Sequence, residues 1–98
     1  MTENEIATII VDLCIKIHKT LGPGLLESVY ESALCYELSR SNITFERQKE
    51  ISVIYENVVL DVGFRADVIV EDKVIVELKS IENLLNVQHK NLITYLKV

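Results

Sequence analysis

The sequence predicts a mixed α/β (α+β) domain whose elements run α-α-β-β-β-α. Three observations predict it. Apolar residues recur at helical spacing from Ile6 to Leu38. From Phe45 the pattern changes to the alternation of strands, and helical spacing returns near the end. The chain has 98 residues, enough for one small core, so a single domain over 1–98 is expected.

Each element has its own signal. Thr2 and Glu5 stand at capping-box spacing. Ile6, Ile9, Ile10, Leu13, Cys14, Ile17 and Leu21 then mark one helical face, and predict a helix from about residue 3 to 20. Gly22-Pro23-Gly24 should stop it, because proline cannot continue the ladder and glycine accepts left-handed dihedrals. Leu26, Val29, Tyr30, Ala33, Leu34 and Leu38 define a second helix, from about 25 to 40. Residues 48–55 are rich in β-branched types, Glu56-Asn57 offers a turn, and 58–62 resumes the strand. Gly63 leads into 64–70, Glu71-Asp72-Lys73 turns the chain, and 74–80 forms the next strand. The segment 87–97, with Leu84, Val87, Leu92, Tyr95 and Leu96 as apolar anchors, reads as the closing helix. No repeat or linker interrupts this order.

Charge limits the functional classes. The net charge is −5 and the pI about 4.9. A protein that holds duplex by its backbone needs a dense basic face, and none is visible. Any contact with nucleic acid must therefore come through a local site, a metal ion or a partner. No apolar run reaches the roughly 20 residues a membrane span requires. The first residues, Met1-Thr2-Glu3-Asn4-Glu5, are acidic where a secretory signal would be basic, so a cytoplasmic protein is expected. Cys14 and Cys35 sit in helical patterns without Cys-x-x-Cys spacing and read as reduced, largely buried thiols rather than zinc ligands.

The chemistry-bearing residues lie on the last predicted hairpin. Glu77 and Lys79 interrupt an apolar strand and, two apart, share a face. In the preceding strand Phe64, Ala66, Val68 and Val70 form one apolar face, while Arg65 and Asp67 share the other with Ile69. Both apolar sets must face the core, and a one-residue slip would invert every side chain. A loop of residues 71–73 pairs Val70 with Val74, Asp67 with Glu77 and Arg65 with Lys79. Two facing carboxylates repel unless a cation lies between them, and oxygen donors of this kind suit Mg²⁺ or Mn²⁺. The bland alternative is a solvated sheet surface with weak cross-strand ion pairs.

Asp67, nine intervening residues and then Glu77-Leu78-Lys79 resembles the motif of the PD-(D/E)XK nuclease superfamily. Gly24-Leu25-Leu26-Glu27-Ser28-Val29-Tyr30 resembles the GxxExxY signature of the family named for it, which is assigned to that superfamily. Flanking stretches 21–27 and 63–67 are also similar, and the likeness runs in order from about His18 to Leu96. It implies a restriction-endonuclease-like core, a mixed sheet flanked by helices.

The resemblance also implies a site. Glu27 would join Asp67 and Glu77 as metal ligands, and Lys79 would complete the catalytic set. Gly24 would let the helix start approach closely, and Tyr30 would pack beneath Glu27 or hydrogen-bond near it. Arg65 and His18 would border the site. Asn91, four residues before Tyr95, stands where relatives often carry glutamine, and Gln88 where they often carry histidine. Val98 falls where the family usually adds a further strand, so an open sheet edge is expected to meet a second copy or a partner chain. Two readings follow: a divalent-metal-dependent nuclease acting on phosphodiester bonds, or a non-catalytic nuclease-like interaction module.

Overall fold

The computed structural model describes residues 1–80 and 91–97. Helix α1 spans Glu3–Leu21, and its capping box is closed. Glu5 N–H donates to Thr2 Oγ1 at 3.2 Å, and Thr2 N–H donates to Glu5 Oε1 at 2.9 Å. These bonds to Thr2 hold the Glu5 carboxyl below its usual range. Gly22, at φ 76°, ends the helix, and its N–H reaches back to the His18 carbonyl at 2.8 Å. Helix α2, Glu27–Arg40, starts after Leu26 without a side-chain cap. The two helices are joined by Lys16 Nζ and Glu37 Oε2 at 2.6 Å. That bond lowers the Glu37 pKa.

Four strands follow: β1 (Phe45–Tyr55), β2 (Val58–Val70), β3 (Val74–Ser80) and β4 (Asn91–Lys97). They lie in the order β1-β2-β3-β4, every neighbouring pair antiparallel. Two helices leading into an antiparallel sheet match the α+β class, but a mixed sheet is not seen among the described residues.

The closing helix is corrected over its described part. Residues 91–97 are strand β4, paired with β3 from Val74–Lys97 to Ser80–Asn91. Residues 84 and 87–90, with Gln88 and His89, lie outside the described residues. A short apolar run such as Leu92-Ile93-Thr94-Tyr95-Leu96 satisfies both periodicities, and β-branched Ile93 and Thr94 favour the extended form. The open edge of β3 then supplies its hydrogen bonds.

The helices cover one face of the sheet. Ile6, Ile10, Leu34 and Leu38 pack with Val68, Val70, Val74 and Val76, all but fully buried. Each such side chain stabilises the fold by roughly 1.5–3 kcal/mol relative to exposure. A smaller cluster gathers Ala66, Ile69 and Ile75 with Ile51. Ile69, expected beside the charged residues, is thus buried, whereas Phe64, expected in the core, is exposed.

Phe64 is exposed because β1 and β2 run past the core as a two-stranded arm. Glu56 and Asn57 both have positive φ, the signature of a type I′ hairpin turn, with Tyr55 paired to Val58. The pairing shifts between Ser52 and Ile54. Gly63 lies at that shift, and a Cβ there would overlap the Ile51 carbonyl oxygen.

Candidate metal and catalytic site

The β2–β3 hairpin has the expected register. Val70 pairs with Val74, Ile69 with Ile75 and Val68 with Val76. Glu71 and Asp72, both at positive φ, make the turn, closed by Lys73 N–H to the Val70 carbonyl at 3.0 Å. Asp67 and Glu77 are the next residues along the two strands, just beyond the last pair. There the Leu78 N–H donates to Asp67 Oδ2 at 2.9 Å. Asp67 therefore ties the two strands together with its side chain just beyond the last backbone pair. Alternation turns Asp67 and Glu77 away from Val68 and Val76, and both are half-buried. Lys79 follows two residues on, paired through its backbone with Leu92.

The loop before α2 is built by the signature residues. Tyr30, only 4% exposed, donates its hydroxyl to the Gly22 carbonyl and accepts from Leu25 N–H at 3.2 Å. One side chain thus fixes both ends of the turn that delivers Glu27 to the first position of α2. Tyr30 was expected near Glu27, and its observed role is to hold the loop. Gly24 differs from expectation. Its φ is 89°, and a Cβ there would meet nothing within 4 Å, so the position demands the left-handed dihedral rather than close approach.

Glu27 is exposed at the start of the helix that covers the Val68 face. Alternation from Val68 and Val76 directs Asp67 and Glu77 toward the other side of the sheet. Among the described residues no three His, Cys, Asp or Glu side chains gather closely enough to hold a metal ion. Of the expected carboxylates, Asp67 lies on β2 and Glu77 on β3, each one residue beyond the paired Val68 and Val76. Arg65 is exposed and paired with Glu50 of β1. His18 is half-buried at the end of α1. Asn91 and Tyr95 are strand residues opposite Ser80 and Val76. On a strand, four positions span about 13 Å rather than one helical turn, so the expected helical pairing of the two does not arise.

Sequence reasoning missed a third group. Glu31 of α2, 6% exposed, accepts from Arg47 Nε at 3.2 Å and Nη2 at 2.9 Å, and from Gln48 Nε2 at 2.6 Å. Its hydrogen bonds raise the Arg47 pKa. No local signal marks it, since the partners are 16 and 17 residues apart.

The model of the PD-(D/E)XK nuclease superfamily matches residues 4–98. The chain belongs to the PD-(D/E)XK nuclease superfamily. No curated protein and no solved structure matches it. None of the described helices is long and apolar enough to cross a membrane.

Proposed function

We propose that this domain is a divalent-metal-dependent nuclease of the GxxExxY branch, hydrolysing phosphodiester bonds in nucleic acid. The observation that carries the reading is the half-buried Asp67 carboxylate, which accepts from the N–H of Leu78, the residue after half-buried Glu77, at 2.9 Å in a chain of this superfamily. Two carboxylates plus water and substrate phosphate are the usual donor set for Mg²⁺, so the pair fits Mg²⁺ or Mn²⁺. When bound, the ion would polarise a phosphoryl oxygen and acidify a water. Asp67 and Glu77 would hold it, and the Leu78 N–H would fix the Asp67 carboxylate. Lys79 would orient the attacking water or stabilise the charge developing on phosphate. Glu27 would act from the start of α2, as a ligand only if substrate or a water bridges it to the pair.

The net charge of −5 bears on the partner. Without a basic face, nucleic acid would be gripped at the metal rather than along its backbone. The test pairs calorimetric titration of Mn²⁺ with cleavage of labelled single- and double-stranded DNA and RNA. Asp67→Ala or Glu77→Ala should weaken metal binding, because each removes an anionic oxygen donor. Lys79→Ala should abolish cleavage and leave metal binding near the unmodified level. Glu27→Gln should fall between them. Unmodified protein that binds no divalent ion and cuts nothing would favour the non-catalytic interaction module.

A further inference from the structure

Two successive side chains of β1 reach the same carboxylate, which a regular strand forbids. Arg47 pairs with Val68, whose side chain lies in the helix-side core, so Arg47 points toward α2 as alternation requires. Gln48 should then point to the far face, beside Asp67. Instead its Nε2 donates to Glu31 Oε1 on the helix side, while Arg47 occupies Oε2. Gln48 can do this because its φ is 49°, a left-handed dihedral inside a strand. Such a conformation is unfavourable for a non-glycine residue, and a buried, fully engaged carboxylate offsets it.

The consequence falls on Asp67. The β1–β2 pairing steps from Arg47–Val68 to Lys49–Ala66 and skips Gln48 and Asp67. The side chain that would have flanked Asp67 on the far face has been turned away. We propose that Glu31, with Arg47, holds Gln48 in its left-handed conformation and so keeps the β1 flank of Asp67 clear, making Glu31 and Gln48 positioning residues for the candidate metal site. The metal part rests on the proposed function; the geometric part does not.

Substitution at position 48 separates the two. Gln48→Val disfavours the left-handed region, returns the strand to extended form and projects a branched side chain beside Asp67. Gln48→Gly loses the same bond to Glu31 but has no side chain to obstruct Asp67. Mn²⁺ affinity should fall by roughly 10-fold or more in Gln48→Val and stay near the unmodified level in Gln48→Gly, the scale typical of groups that orient a ligand. Amide exchange at Leu78, which reports its bond to Asp67, should change in the valine variant alone. Glu31→Gln covers the case of a valine variant that does not fold. It should move the residue 48 backbone dihedral, read from NMR chemical shifts, toward the extended region. A valine variant with unchanged Leu78 exchange, or a Glu31→Gln variant with residue 48 still left-handed, overturns the proposal. If unmodified protein binds no Mn²⁺, the nuclease reading falls, and the Leu78 and residue 48 measurements still decide the clamp.

Discussion

The two ends of the β1–β2 hairpin have the same secondary structure and opposite surroundings. At the inner end, Val68 and Val70 are fully buried under α1 and α2. At the outer end Ile54, Tyr55, Val58, Val59 and Val62 each expose more than half their surface. The residue types barely differ, so hydrophobicity alone does not decide which half is core. Position relative to the helices does. Antiparallel pairing fixes a strand's shape, but burial needs a second layer, and the helices end before the arm does. The candidate carboxylates lie at the border between the halves, where Asp67 follows exposed Arg65 and buried Ala66. That is where a polar group can be held rigidly and still be reached.

The largest effect should come from the packed end. Leu34→Ala removes a fully buried side chain between α2 and the sheet. It should cost about 2–5 kcal/mol in chemical denaturation. Ile54→Thr, at a site 67% exposed, should change stability by no more than about 0.5 kcal/mol. Equal costs would show that the arm is covered in solution, and the comparison would fail.

Much of the packed half was legible because its cues are local. The capping box, the Gly22 stop and the 71–73 loop each depend on a few neighbouring residues, and each forms as its chemistry requires. The loop then fixed the register that pairs Val68, Ile69 and Val70 with Val76, Ile75 and Val74. Three features were not legible. Residues 91–97 carry an apolar pattern that fits helix and strand alike, and the β3 edge decides between them. Phe64 alternates correctly for the core but lies beyond the helices. The Glu31–Arg47–Gln48 group joins distant residues through a dihedral that no pattern announces for glutamine.

Tyr30→Phe sharpens the contrast at a smaller scale. It keeps the buried ring and removes the hydroxyl that joins Gly22 to Leu25. Two hydrogen bonds of modest net value are lost, so the cost should be about 1–2 kcal/mol. The exchange of the Leu25 amide should rise while amides in β3 keep their protection. If β3 exchange rises equally, the loop and the sheet are one cooperative unit, and Tyr30 is core rather than a loop clamp.

The last effect depends on pH and uses a titrating group inside the packed half. Burial pushes the Cys14 thiol up to about 12, from an ordinary value of 9.0. The folded state therefore keeps its proton in a range where the unfolded chain has lost it. Stability depends on the difference in bound protons, so the Cys14 contribution is fully present below about pH 9 and falls as pH rises toward 12. Lysines and tyrosines titrate in the same range, so the measurement is a difference: the melting midpoint from pH 8.5 upward in unmodified protein against Cys14→Ala, at roughly half-unit steps. The unmodified protein should lose stability more steeply. Cys14→Ala also removes some packing, but that cost is independent of pH and cancels in the slope. Parallel slopes would mean that the thiolate is well solvated in the folded state, and that the space between α1 and the core is wetter than the burial of its neighbours Ile10 and Ile17 indicates.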